Sequence, residues 1–467
     1  MRRKQEDRMK AEEELTKAAS RSTQQQRLDA AVLRNTTDFA SLHAEWDELY
    51  ENCPRATPFQ SWAWLYSWWE VYGEGRYELR LVTVREAGGL LVGLLPLMVR
   101  RGLGFGRLLL VGGDIRSHYS DVMTPYKDVL VREGWEERVA QAGAQALKGL
   151  GGWRVADLRE LRPEAAAWDV FGEWEGLKTS VPITGYVLIH ANSWEGLLGS
   201  LSRKLRSSAR GTLRRAEQDG VRCEPASSED AERAARRLVA LHRELWQGRR
   251  IAPEHLTARY EAFMETAARR MTARGIGRIS EFRRDDAVLI SQFLVFDKDF
   301  VGGYVIGASR EASRRYQFMT LCIWDAMNVA GSQGSTYVSC MDGTSWAKLR
   351  WASEEVTSRR AILGRSRASW IPYAGYHLLR DRYYALRSEA QRYIHSESAP
   401  GRIKSATERY YALQSYMYSD DAPRWIKSAT ERYWELRHKY GYGWLQYKYE
   451  LARIRREMQR SNTSSAD

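Results

Sequence analysis

Between residues 38 and 50, the apolar side chains Phe39, Leu42, Trp46 and Leu49 recur every three or four positions, as on one buried helix face. This predicts a helix over Asp38–Tyr50, with ordered structure beginning near Thr37. Pro54 and Pro58 break the pattern, and Phe59–Tyr72 then reads as an aromatic helix that turns Trp62, Leu65, Trp68 and Trp69 toward a core. From Tyr77 the period changes from helical to alternating. Tyr77–Arg85 and Leu90–Arg100 read as a hairpin joined at Glu86-Ala-Gly-Gly89, and Leu108–Gly112 as a third strand. Trp135–Leu150 is a helix in this reading and Trp153–Leu158 a strand.

The pattern then restarts. Tyr186–Ile189 reads as a strand, Ser193–Gln218 as helical, Gly220–Glu224 as a strand, and Asp230–Trp246 and Pro253–Arg274 as two long helices. Gly277–Arg283 and Ala287–Phe296 form a predicted hairpin, Phe300–Gly307 continues the sheet, Arg315–Ala330 is a helix, and Thr336–Cys340 a strand ending at Met341-Asp342-Gly343. Two lobes of similar plan in tandem, each a mixed sheet with flanking helices, make the fold class α/β. The expected divisions are a charged leader over 1–30, a first lobe over 31–185, a second over 186–370 and a helical extension over 371–467.

The extension contains a repeat. Ile403-Lys-Ser-Ala-Thr-Glu-Arg-Tyr-Tyr-Ala-Leu413 recurs as Ile426-Lys-Ser-Ala-Thr-Glu-Arg-Tyr-Trp-Glu-Leu436. Short amphipathic helices with a Tyr/Trp stripe are expected there, and residues 371–460 are a candidate surface for a protein partner or self-association.

Composition narrows the picture. At 467 residues, the chain has room for more than one core. No run of about 18 consecutive apolar residues occurs, so no transmembrane segment is expected, and residues 1–27 lack the apolar stretch of a signal peptide. The four cysteines form no CxxC pair and the eight histidines show no ligand spacing, so neither a metal site nor a disulfide framework is expected. A cytoplasmic, reducing location fits. The net charge of +13 favours an anionic partner such as CoA or an acidic glycan, and equally serves as a solubilising surface.

Several stretches in order along the chain resemble one family. Pro58-Phe-Gln-Ser-Trp-Ala-Trp-Leu65 with Trp68-Trp69 resembles the opening of CelD/BcsL-like GNAT acetyltransferases. Gly93-Leu-Leu-Pro-Leu97 is similar to a family strand, and the Gly112–Asp121 segment with His118-Tyr119-Ser120-Asp121 to its Gly-rich stretch. Leu241-His242-Arg243-Glu244-Leu245-Trp246 and the Gly334–Trp351 stretch extend the likeness, which covers roughly 35–370. The same plan resembles the Fem-type aminoacyl transferases. The resemblance implies a doubled GNAT fold with an acyl-CoA site in the second lobe, and association with polysaccharide biosynthesis.

Acyl transfer requires that the donor's pyrophosphate be held, its carbonyl polarised and a proton removed from the acceptor. By the resemblance, the pyrophosphate would lie at a helix start near Arg314, Arg315, Tyr316, Gln317 and Met319, although Gln317-Phe318-Met319 replaces the family's small, Gly-containing turn. Asp342, His242 and Glu281 are the candidate catalytic groups. Asp342-Gly343 is also an ordinary turn pair, His242 an ordinary helix residue and Glu281, like Gln292, an ordinary strand residue. Arg203, Arg206 and Arg210, with Arg214, fall at helical steps on one basic face and, with Lys348, are candidates to bind substrate; a solvated face has the same pattern. The reading is an acetyl-CoA-dependent N- or O-acyltransferase acting on a sugar, polysaccharide or cell-envelope precursor. A Fem-like aminoacyl-tRNA-dependent transferase and a non-catalytic GNAT-fold scaffold are the alternatives. Nucleic acid is not the expected partner, because no tRNA-binding coiled-coil insertion is visible in 186–370.

Overall fold

The structure, a computed structural model, describes residues 28–101, 106–113, 122, 124–191, 193–247, 251–343 and 345–379. The leader up to residue 27, His118-Tyr119-Ser120-Asp121 and the 403–436 repeat lie outside the described residues.

The chain enters through strand β1 (Leu28–Leu33), ahead of the expected start of order near Thr37. The first predicted helix is two, α1 (Thr36–Ser41) and α2 (His43–Glu51). The aromatic helix is a 3-10 turn, Pro58–Gln60, then α3 (Trp62–Trp68), capped by Ser61 Oγ accepting from Trp64 N at 3.2 Å, and a π turn over Trp69–Gly73. All seven residues of α3 are buried. Burial of so much indole is tolerable because each ring N–H finds an acceptor: Trp62 Nε1 donates to Phe39 O (3.1 Å), Trp64 Nε1 to Thr124 Oγ1 (2.9 Å) and Trp68 Nε1 to Val122 O (2.9 Å). Strands β2 (Glu78–Glu86), β3 (Leu91–Arg100), β4 (Arg107–Leu110) and β5 (Leu130–Val131) follow, then α4 (Glu136–Gly149), β6 (Val155–Leu161) and α5 (Ala167–Gly172).

Strand β7 (Leu177–His190) is much longer than its predicted core of Tyr186–Ile189. The second lobe adds α6 (Trp194–Ser200), α7 (Arg203–Gln218), β8 (Arg222–Pro225), α8 (Ala231–Leu245), α9 (Ala258–Ala273), β9 (Gly277–Arg284), β10 (Ala287–Asp297) and β11 (Phe300–Ala308). Where one helix was expected over Arg315–Ala330 there are two, α10 (Arg310–Arg315) and α11 (Phe318–Gln333). Strand β12 (Tyr337–Asp342), α12 (Trp346–Leu349), β13 (Glu354–Gly364) and a helix α13 over 367–379 complete the described chain.

Among the described residues the strands form one thirteen-stranded sheet in the order β1-β2-β3-β4-β6-β13-β7-β12-β11-β10-β9-β8, with β5 beside β3. The mixed α/β class stands. Two pairs are parallel, β4 with β6 and β11 with β12; the rest are antiparallel. The halves mirror one another in plan, with a swap at the centre. Strand β7, which follows β6 in the chain, pairs with β12, and β13, which follows β12, pairs with β6. The two swapped strands pair with each other over their length.

One apolar cluster spans both lobes. It joins Trp64 and Phe59 of the first lobe to Phe263 and Phe300 of the second, with ring centroids 5.2 Å apart for Trp64–Phe263 and 6.0 Å for Phe59–Phe300. Polar ties reinforce it. Lys298, on the β10–β11 turn, donates from Nζ to Tyr50 O (2.7 Å) and Cys53 O (2.8 Å), and Arg270 of α9 pairs with Glu70. Under α13 lies a wholly buried pair, with Arg360 bidentate on Asp157 at 2.6 Å for each bond and Tyr373 Oη donating to Asp157 Oδ2 at 2.6 Å.

Candidate active site

Strands β11 and β12 are hydrogen-bonded as a pair at one register position, Gly302 opposite Ser339, and separate beyond it. Two backbone irregularities accompany this short pairing. Tyr304 is an extra residue in β11, because Phe293 of β10 pairs with Val305 and Leu294 with Gly303; such a bulge bends its strand. Met341 holds a left-handed backbone (φ +57°) where β12 changes register against β7. Side chains crowd Gly302: a Cβ there would stand 2.2 Å from Met341 Cε and 2.9 Å from the Phe300 ring, so those side chains would have to shift. The opening lies between the C-terminal ends of two parallel strands, where α/β folds place ligands.

Helix α11 crosses between these strands and begins beside the opening. Its cap is Gln317, whose Nε2 donates to Ser208 Oγ of α7 (2.7 Å) and whose Oε1 accepts from Arg350 (3.4 Å). No acidic residue occupies the first turn, so the dipole there is left open to an anion.

Arg314 and Arg315, expected at this helix start, instead occupy the last turn of α10, where cations suit the helix dipole without a bound anion. Arg315 is also engaged. Its guanidinium forms a bidentate pair with Asp219, the C-cap of α7, and Tyr316 Oη donates to the same carboxylate at 2.5 Å. These hydrogen bonds hold Asp219 well below the usual carboxylate range. Tyr316 is buried in that contact and Met319 is half-buried in the first turn of α11. Of the five expected cofactor residues, Gln317 and Met319 stand at the start of α11; Arg314, Arg315 and Tyr316 belong to the segment before it.

Asp342 ends β12 with its side chain exposed, opposite Tyr186 of β7. Lys348 Nζ donates to the Asp342 carbonyl at 2.6 Å, which ties α12 to the strand end rather than freeing the ammonium for a ligand. Burial, then Glu160 and Asp342, push the Tyr186 hydroxyl well above its ordinary range; burial, Tyr260 and Asp342 do the same to Tyr304.

Glu281 has a different role from the one expected. It is 1 % exposed and clamped between Arg237 (Nε, 2.8 Å) and Arg283 (Nη2, 2.5 Å), so both oxygens serve a buried ion network. Gln292 is likewise spent on Asp325 Oδ2 (2.7 Å) and Cys322 O (3.1 Å). His242 is held on both nitrogens. Nδ1 donates to Ile306 O of β11 at 2.7 Å, which leaves Nε2 to accept from His255 Nδ1 at 3.1 Å. Burial pushes His242 below its ordinary range and His255 down to about 3, so both are neutral near pH 7.

The basic face of α7 is divided. Arg206 folds back to donate to Gly199 O (3.1 Å) and Leu201 O (3.0 Å), and Arg210 meets Glu195 at 3.2 Å, while Arg203 and Arg214 are exposed. Four residues not singled out as site candidates from the sequence form two hydrogen bonds near the end of β12. Tyr126 of the first lobe donates to or accepts from Ser339 Oγ at 2.7 Å, and Glu160 of β6 accepts from Tyr186 Oη at 2.8 Å. The only advance signal for Glu160 was its place in a run of charges, Asp157-Leu-Arg-Glu160, within an otherwise apolar strand. Among the described residues, no cluster of three or more His, Cys, Asp or Glu has metal-binding geometry.

No curated protein matches the sequence. Among solved structures, a conserved protein of unknown function from Bacteroides thetaiotaomicron aligns over 71% of this chain and 100% of its own, at 10% identity and a TM-score of 0.47. FemX aligns over 71% of this chain and 96% of its own at 10% identity and TM-score 0.49, and a tandem GNAT protein from the clavulanic acid biosynthesis pathway over 72% and 98%, at 12% and 0.36. Residues 203–348 match the family model described as an acetyltransferase (GNAT) domain, a stretch that runs from α7 to β12 and includes the opening between β11 and β12. Over residues 203–348 the second lobe is therefore similar to a GNAT acetyltransferase domain.

Proposed function

We propose that the protein is an acyl-CoA-dependent acyltransferase that moves an acetyl group to an amine or hydroxyl of a sugar, polysaccharide or cell-envelope precursor. The observation that supports this reading is the parting of β11 and β12 directly beside the N-terminus of α11, a 16-residue helix with no acidic residue in its first turn. An extended pantetheine arm would pair with the unpaired strand edges, and the pyrophosphate would meet the helix amides next to Gln317 and Arg350. Asp342 is the acceptor's proton-removing group in this reading; His242 and Glu281 support the fold. The sugar or envelope acceptor comes from the family resemblance, and a cytoplasmic location, where acyl-CoA is made, belongs with it. Among the described residues, no helix is long and apolar enough to cross a membrane.

Titration calorimetry with acetyl-CoA tests the reading. Wild-type protein should bind. Gln317→Glu, which sets a carboxylate at the helix cap, should weaken binding several-fold, the factor that about 1 kcal/mol of helix-terminus electrostatics gives. Arg315→Ala should leave the affinity unchanged within about twofold, because Arg315 serves Asp219 rather than the opening. Absence of any acetyl-CoA heat in the wild type sinks the reading. Salt-sensitive binding of tRNA in that case would favour an aminoacyl-tRNA donor.

A further inference from the structure

Five non-glycine residues have left-handed backbone among the described residues, and three of them meet at the junction of the lobes: Tyr126 (φ +48°), Glu160 (φ +59°) and Met341 (φ +57°). Such conformations persist only where the surroundings hold them, and they gather at functional positions. Each of these is held. Gln60 Nε2 donates to the Tyr126 carbonyl at 2.6 Å; Tyr186 and Ser358 hydroxyls bond Glu160 at 2.8 and 2.9 Å; Ser339 Oγ accepts from Met341 N at 3.1 Å.

The contacts form one path. Glu160 takes the Tyr186 hydroxyl, the Tyr186 ring lies 4.2 Å from that of Tyr126, Tyr126 bonds Ser339, and Ser339 holds Met341. Tyr186 is also the residue directly opposite Asp342. The path runs from the first lobe to the strand end that borders the opening.

Glu160 and Met341 are moreover the same device used twice. In β12 the register against β7 shifts between Ser339 and Asp342; in β6 the register against β13 shifts between Leu158 and Leu161. Each shift contains one left-handed residue, Met341 in one lobe and Glu160 in the other. In the second lobe the kink shapes the opening. In the first it holds a buried carboxylate against the Tyr186 and Ser358 hydroxyls.

We propose that Glu160, contributed by the first lobe, is a positioning residue of the second-lobe opening: through Tyr186 it sets where the Met341–Asp342 end of β12 stands. Its kinetic consequence rests on the acyl-transfer reading. The structural consequence does not.

The test uses the full chain and the variants Glu160→Gln and Tyr186→Phe, with Ser358→Ala in reserve should the first fail to fold. Amide hydrogen exchange is followed over 339–343, together with the melting temperature. Faster exchange confined to 339–343, at an unchanged melting temperature, is expected for Glu160→Gln and Tyr186→Phe. Unchanged exchange there, or a uniform rise in exchange with a fallen melting temperature, overturns the proposal. Kinetics supply the second arm, with acetyl-CoA and glucosamine as probe substrates and thiol release as readout. Glu160→Gln should lower kcat on the order of 10- to 100-fold and alter the pH–rate profile, with KM for acetyl-CoA within about twofold of wild type, the pattern of a displaced reacting group. A raised KM at constant kcat overturns the proposal. Should wild-type protein neither bind acetyl-CoA nor release thiol, the acyl-transfer reading fails by itself, and the exchange data still decide whether Glu160 positions β12.

Discussion

Asp157 and Arg360 have no exposed side-chain surface, yet both are charged. Burial alone would push the Asp157 carboxyl up, but Arg360 and Arg159 outweigh it and hold the group far below the usual carboxylate range. A depressed carboxylate contributes stability that is present above its unfolded pKa of about 3.9 and is lost only as pH falls through the lower folded value. The pair therefore survives mild acid. Asp157→Ala leaves Arg360 buried without this partner, and equilibrium urea unfolding should show a loss of about 3–5 kcal/mol. The His242–His255 pair responds to acid in the same direction but from a higher pH. Its folded pKa values lie below the unfolded value of about 6.5, so the unfolded chain takes up protons first and stability falls as pH drops from there toward about 3. Each neutral histidine contributes a slope of up to about 1.4 kcal/mol per pH unit in that window. Thermal melts between pH 7 and 4.5 should show the decline, and the double variant His242→Gln with His255→Gln should flatten it.

At the scale of elements, close approach of backbones decides more than side-chain chemistry. A Cβ on Gly307 would stand 2.6 Å from His242 N and 2.7 Å from Leu238 O, so α8 lies directly on the end of β11. Gly307→Ala should cost about 1–3 kcal/mol by overpacking, read from the urea midpoint, and should weaken acetyl-CoA binding by moving the strand that borders the opening. The strands of the two hairpins were legible because alternation is local: β2, β3, β9 and β10 lie within about two residues of their expected bounds at each end. Strand β13 was not anticipated. It carries Glu354, Glu355, Arg359 and Arg360, and its buried Arg360 pairs with Asp157, distant in sequence. The α10–α11 break escaped notice because neither Gly nor Pro marks it; it accompanies the grip of Asp219 on Arg315 and Tyr316. Near the candidate site, the end of β12 around Met341-Asp342 was readable, but the brief pairing of β11 with β12 depends on a register between strands, which no single stretch encodes.

For the molecule as a whole, the shared sheet and the aromatic junction predict that the lobes unfold together. Calorimetry should show one transition. Lys298→Met, which strips the donor from the Tyr50 and Cys53 carbonyls, should lower stability by about 1–3 kcal/mol without splitting that transition. A first lobe that melted separately, leaving the second intact, would contradict the swap of β7 and β13 as a structural tie.

The same swap sets a schedule for biosynthesis. Strand β6 leaves the ribosome with β4 as its neighbour on one side, while the strand that covers its other edge, β13, lies about 200 residues later. At ordinary translation speeds of about 5–20 residues per second, that edge waits roughly 10–40 s for its partner. Edge strands left open for so long are a template for wrong pairing. Asp157, Arg159 and Glu160 all sit on this edge, and until Arg360 and Tyr186 arrive their charges keep it wet. The residues that later anchor the finished sheet would thus act first as a chaperone built into the nascent chain.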